Sequence, residues 1–291
     1  MRSLLGYMPL FFTVSENGQH ILRLVACVAR PWRIRGLGNS LRHLLPAVLR
    51  GRAGSLLWYG EPVILSPAHS EHYRRLALCL DQEARRRWLR VASGAWPVAH
   101  EEVLVNGWKR KRWGTILIDL RQTKEELLAA MKSSSRKALR RAARDGITVR
   151  RITTLEELQS YYVFACRCAQ RYGKRMHGFE DFQSMWEQIR PQAWFETFVA
   201  EHGGEMIAGL SVWGQGDSVG ELGSFQSERS FSEKLYGPDL LKWAVLEWGH
   251  DQGLRTLDLS GVNPMPQGKE VGIRQFKEKW GGTYYEYVTI G

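Results

Sequence analysis

Two glycine-rich turns, His202-Gly203-Gly204 and Gly214-Gln215-Gly216, constrain this chain most. They cut one stretch into three strand-like runs, Phe195 to Glu201, Met206 to Trp213 and Ser218 to Phe225, the pattern of an antiparallel meander. A helix from Pro238 to Asp251 follows, with Gly253 as its stop, and then a strand from Leu254 to Leu259. A meander feeding a helix and a returning strand makes the fold class mixed α/β.

The first half repeats that alternation. Met1 to Val14 reads as a strand rather than a secretory leader, because Pro9 interrupts its apolar run, no small-residue cleavage site follows, and Glu16-Asn17-Gly18 looks like a hairpin turn. A strand-like Leu56 to Leu65, a helix from about Ser70 to Ala92, strands at Val98 to Val105 and Trp113 to Leu120, and a long helix from about Thr123 to Asp145 come next. Thr123 is its cap and Gly146 its stop. A second round begins near Val149, with helices at Leu155 to Gly173 and Phe179 to Arg190 ahead of the meander. We therefore expect two similar units, 1–148 ending in a basic helix and 149–291, each with enough chain to bury a core.

Charge narrows the partners. With 41 basic and 30 acidic residues the net charge is +11, which favours nucleic acid, an anionic membrane surface or phosphorylated substrates. Asn17 to Gly60 holds no acidic residue and seven arginines, Arg23, Arg30, Arg33, Arg35, Arg42, Arg50 and Arg52. On the long helix, Lys132, Arg136, Arg140 and Arg144 recur every four residues, while Leu128, Met131, Ser135, Ala138 or Leu139, and Ala142 form another face. Like charges at that spacing repel, so the stripe points to a polyanion or to acids supplied elsewhere in the fold.

Near the end, Ile273, Phe276 and Trp280 share one face of a short helical segment that stops at Gly281-Gly282, before an aromatic strand from Thr283 to Ile290. Lys277 stands beside the Phe276 anchor. A fixed ammonium can stabilise charge developing on a carbonyl oxygen in acyl transfer, whereas a solvated lysine would serve only the surface.

The run Tyr236-Gly-Pro-Asp-Leu-Leu-Lys242-Trp243, the strand to Leu259, the turn Ser260-Gly261-Val262 and then Gly272-Ile-Arg-Gln-Phe276-Lys277 resemble the FemABX family of aminoacyl-tRNA-dependent transferases. The basic helix from Ser135 to Ile147 is similar to the one that leads into that family's second domain. The resemblance implies two tandem domains related to the GNAT acyltransferases. There is no candidate for the coiled-coil arm of some relatives.

It further implies an enzyme that moves an amino acid from charged tRNA to an amine, by default on a peptidoglycan precursor peptide, with no cofactor beyond aminoacyl-tRNA as co-substrate. Lys277 would stabilise the oxyanion and Phe276 shape the site. Arg136 and Arg140 would hold acceptor phosphates, and Tyr236 with Lys242 would flank the acyl channel. Asp258, at a strand end, suits either a general base or a buried structural carboxylate.

The competing reading is an acyl-CoA-dependent N-acyltransferase on the same fold. Such enzymes cradle a pyrophosphate on backbone amides at a helix start, here Lys234 to Asp239. Pro238 lacks that donor, and Asp239 would set a carboxylate in the way. A non-enzymatic RNA-binding module has only charge in its favour, since no stacking platform accompanies the basic segments.

Cys27, Cys79, Cys166 and Cys168 show no metal or redox spacing, which fits buried free thiols in a reduced cytoplasm. His69 and His72 are the close histidine pair, but no Cys or carboxylate pattern lies near them in sequence, so no metal site is expected. No apolar run is long enough to span a bilayer, which leaves peripheral contact with the inner membrane face.

Overall fold

The computed structural model describes residues 8–29 and 54–291, apart from Tyr172, Lys174, Arg175, His177 and Ala193. Its contacts form two compact units, Met1–Trp113 with Glu286–Gly291, and Gly114–Tyr285. The basic helix thus groups with the second unit, because Leu139 and Ala142 pack in one core with the helix Gly237–Asp251.

In the first unit, β1 (Met8–Glu16) and β2 (Gln19–Ala29) form the expected hairpin around Asn17 and Gly18, both at positive φ. The arginines from Arg30 to Arg52 lie outside the described residues. The expected strand Leu56 to Leu65 is two pieces, β3 (Gly54–Trp58) and the two-residue β4 (Val63–Ile64). Helix α1 (Ser70–Arg86) ends six residues before Ala92, because Trp88 takes φ +56° and the chain turns into β5 (Leu89–Pro97), parallel to β3.

The strand expected at Val98 to Val105 is instead a 3-10 helix, Val98–Val103. Trp96 Nε1 donates to His100 O at 3.0 Å and Ser70 Oγ to Glu102 at 2.9 Å, which curls that segment under the start of α1. Tyr73, Leu76 and Leu80 of α1 pack on Leu22, Leu24, Trp58 and Trp96 as this unit's core.

Strand β6 (Arg110–Asp119) leads into the second unit. The long helix expected from Thr123 to Asp145 is broken into α2 (Lys124–Ala130) and α3 (Ser133–Arg144), with Met131 and Lys132 extended between them. Thr123 caps α2 through a box with Glu126, as expected. The break brings Lys132 N–H and the Ser135 hydroxyl onto one carbonyl, that of Lys279, at 3.0 and 3.1 Å. Gly281, at φ +82°, passes so close that a Cβ there would stand 2.5 Å from the Ala130 carbonyl oxygen.

Then come β7 (Thr148–Arg151), α4 (Leu155–Arg171), α5 (Phe179–Gln188) and the meander of β8 (Phe195–His202), β9 (Glu205–Gln215) and β10 (Ser218–Gln226). Short α6 (Glu228–Ser232), α7 (Gly237–Asp251), β11 (Thr256–Asp258), α8 (Lys269–Glu278) and β12 (Thr283–Ile290) complete the chain. Strand order in this unit is β6-β11-β10-β9-β8-β7, antiparallel except for β10 with β11. Leu241 and Val245 of α7 join Leu139 and Ala142 of α3, Leu210 and Val212 of β9 and Trp280 in its core. Ile273, expected on the face of Phe276 and Trp280, is 48% exposed, because α8 has no fully buried residue and is half-buried mainly toward its C-terminal end, next to the buried Trp280.

Candidate active site

Strands β10 and β11 pair over only three residues, up to Gly220 opposite Asp258, and then part. β10 bulges between Glu221 and Gly223, while the chain after β11 turns at Ser260 and Gly261. Ser260 has φ +61°, a conformation costing a residue with a Cβ about 1 kcal/mol or more. The turn is held from three sides. Ser260 N–H donates to Asp258 Oδ1 at 2.6 Å, Ser260 Oγ donates to Glu221 O at 2.6 Å, and the Thr115 hydroxyl reaches both the Asp258 carboxylate and Ser260 O.

Into this fork comes Lys277 from α8. Its Nζ donates to Ser260 O at 3.0 Å and Gly261 O at 2.9 Å. Burial pushes the ammonium down to about 8, with the Asp258 carboxylate working the other way, so the charged form still dominates at neutral pH. Phe276 meets Trp280 edge to face at 6.2 Å, and the Lys279 ammonium lies 4.1 Å from the Phe276 ring centre.

Two buried ion pairs stand behind the fork. Lys242, 2% exposed on α7, pairs with Glu221 of β10, and burial first, then the Lys277 and Lys279 charges, push its ammonium well below the usual range. Lys242 was expected along an acyl channel; its ammonium is turned inward. Asp239, 5% exposed, pairs with Lys279, while burial raises its carboxyl against that attraction. The Asp239 carboxylate therefore does not stand across the start of α7, contrary to expectation, although Pro238 still withholds an amide there.

The basic helix divides its arginines between two tasks. Arg136 Nη1 donates to the carbonyls of Leu128 at 3.1 Å, Ala129 at 3.2 Å and Met131, closing the end of α2. Lys137, Arg140, Arg141 and Arg144 line a cleft of about 750 Å³ together with Ser134 and Tyr236. The Arg141 guanidinium lies over the Tyr236 ring at 5.4 Å.

Of the residues singled out in the sequence, Lys277 and Asp258 meet at the fork, Phe276 flanks it, and Arg140 meets Tyr236 in the cleft. Glu221, Thr115 and Lys279 were missed, and Ser260 enters the sequence reading only as part of a turn, without a role. A carboxylate between glycines inside a strand run, in Gly220-Glu221-Leu222-Gly223, was the one local signal for Glu221; nothing in the sequence singles out Thr115.

Comparison with known proteins fits this geometry. Solved structures of similar fold include FemX, at 12% identity over 98% of this chain and 88% of that one, TM-score 0.67. The C-terminal domain of a putative lysylphosphatidylglycerol synthetase from Agrobacterium fabrum matches at 15% identity over 99% and 84%, TM-score 0.59. A tandem GNAT protein from the clavulanic acid biosynthesis pathway matches at 14% over 98% and 83%, TM-score 0.55. No curated protein matches the sequence. A family model described as "Acetyltransferase (GNAT) domain" spans residues 129–278, from the end of α2 to the end of α8, which takes in the cleft and every part of the fork except Thr115. With more than half its length so matched, the chain belongs to the GNAT acetyltransferase domain family, on the tandem fold that FemX also has.

Proposed function

We propose that the protein transfers an amino acid from charged tRNA to an amine, forming an amide on a peptidoglycan precursor peptide or another amine-bearing peptide, in the cytoplasm and in peripheral contact with the inner membrane face. The observation that carries this reading is the Lys277 ammonium, half-buried and held by the Ser260 and Gly261 carbonyls at the fork, in the same unit as a basic cleft. FemX and lysylphosphatidylglycerol synthetase, whose name describes an aminoacylated lipid, share this fold and support the class.

In this mechanism the acceptor nitrogen attacks the ester carbonyl, a C–N bond forms and the carbonyl electron pair moves onto oxygen. Lys277 stabilises that oxyanion. The intermediate collapses with cleavage of the bond to the ribose oxygen, which takes up a proton as the nitrogen gives one up. Asp258, already accepting from Ser260 N–H and Thr115, acts by holding the turn. Arg136, committed to the carbonyls at the end of α2, leaves phosphate binding to Lys137, Arg140, Arg141 and Arg144, which hold phosphates of the donor rather than of the acceptor, and Tyr236 offers a ring beside them.

Acyl-CoA is the alternative donor, and the inward position of the Asp239 carboxylate removes one objection to it. A donor test separates the two. Purified protein is given labelled aminoacyl-tRNAs or acyl-CoAs with a panel of muropeptide precursors and simple amines. Amine-dependent loss of label from tRNA supports the proposal, and thiol release with untouched tRNA replaces it with a CoA-dependent acyltransferase.

A further inference from the structure

The fold supplies a carboxylate from a distant part of the chain to His69 and His72, while the adjacent Glu71 is paired with Arg74. Glu16, at the end of β1, is brought beside the first turn of α1, and the ligand atoms of Glu16, His69 and His72 all lie within 4.8 Å of one another. His72 is 2% exposed, its Nε2 has no hydrogen-bond partner, and that nitrogen stands 3.3 Å from Glu16 Oε2. The edge between two ligand atoms around a tetrahedral zinc ion is of that length, because metal–nitrogen and metal–oxygen distances are about 2.0–2.2 Å. The two imidazole rings lie side by side, centroids 3.8 Å apart.

From this cluster we infer that the first unit binds a divalent transition-metal ion of the zinc class through Glu16, His69 and His72, a site separate from the fork and the cleft. Two imidazoles and one carboxylate are a donor set that zinc accepts, with a fourth position left for water. Electrostatics make the carboxylate indispensable. The positive end of the α1 dipole opposes a cation at this place, and the Glu16 charge offsets it. One rearrangement is required. His72 Nδ1 accepts the His69 backbone N–H at a long 3.3 Å, so coordination through Nε2 moves the ring proton to Nδ1 and gives up that contact. The bound ion would tie the β1–β2 hairpin end to the start of α1, two elements otherwise joined there by Arg75 donating to Ser15 O at 3.1 Å.

Isothermal titration with Zn²⁺ on the full chain, stripped beforehand with chelator, tests the site. We expect one equivalent bound with Kd of about 10 µM or tighter, and a loss of about 100-fold or more in both Glu16→Gln and His72→Gln. The variant His20→Asn, which removes an exposed imidazole outside the cluster, leaves binding unchanged. Co²⁺ replaces Zn²⁺ with the visible spectrum of a four- or five-coordinate ion, absent in Glu16→Gln. Circular dichroism of each variant guards against misfolding, and Glu16, being exposed, keeps the test valid if His72→Gln does not fold. Equal Zn²⁺ affinity in wild type and Glu16→Gln overturns the inference, as does the absence of saturable binding by the wild type at about 1 mM Zn²⁺.

Discussion

The Lys277 ammonium donates to the carbonyl of Ser260 at 3.0 Å, and Ser260 is itself a residue in the left-handed region at φ +61°. A strained turn and a partly desolvated lysine thus support each other, the carbonyls steadying the cation and the cation steadying the turn.

Replacing Lys277 with Ala should lower turnover by about two to three orders of magnitude, the scale for losing one oxyanion stabiliser. Steady-state kinetics with the donor identified above measure it. A variant that keeps wild-type turnover removes Lys277 from the mechanism.

The same lysine sets a pH dependence in which activity and stability move oppositely. Its folded pKa is about 8, against 10.5 for a free side chain. Turnover should decline as pH rises through about 8 and the ammonium is lost. Between about 8 and 10.5 the unfolded chain holds a proton that the folded chain has released, so this group's contribution to stability rises over that window. Denaturant unfolding across the range should show a rise that Lys277→Ala removes.

For Ser260, two substitutions separate strain from bonding. Ser260→Val loses the bond to Glu221 O and forces a β-branched residue into positive φ, and should cost about 2 kcal/mol or more with a matching loss of turnover. Ser260→Gly trades the bond for relaxed backbone and should unfold within about 1 kcal/mol of wild type.

Lys242 and Glu221 should behave as a unit. Lys242→Met leaves a carboxylate with at most a tenth of its side chain exposed and no counterion, and should cost about 3 kcal/mol by urea unfolding. Adding Glu221→Leu should recover most of it. A double variant as unstable as Lys242→Met would mean that the pair is not the source of the loss.

Arg136 and Arg140, neighbours on one stripe, should part company. Arg136→Ala opens the end of α2 and should lower stability by about 1–2 kcal/mol, while Arg140→Ala should leave stability alone and reduce the salt slope of tRNA binding by about one. Filter binding at several salt concentrations, with thermal unfolding alongside, distinguishes them.

How much of this was legible beforehand depends on range along the chain. The meander, α4, α7 and the final strand follow from glycine pairs, caps and periodicity, which act within a few residues. The break between α2 and α3 went unread, because the Lys279 carbonyl that receives Lys132 and Ser135 lies more than a hundred residues away, and the one local hint, Ser133-Ser134-Ser135, sits inside an otherwise continuous helical pattern. For the same reason Arg136 read as part of a charge stripe while its guanidinium serves the preceding helix. Phe276-Lys277 could be found because resemblance marks it; Thr115 and Glu221 act only through partners that the fold supplies.

The Lys279 carbonyl, which receives both Lys132 N–H and the Ser135 hydroxyl, makes the protein a gauge. Helix α3, which borders the basic cleft, is thereby referenced to the residue that ends α8, the helix carrying Lys277, and Gly281 pressed against Ala130 leaves no slack between them. If the proposed transfer holds, the span from a phosphate in the cleft to a carbonyl at Lys277 is fixed in the fold, and a donor would be selected by its length as well as by its charge.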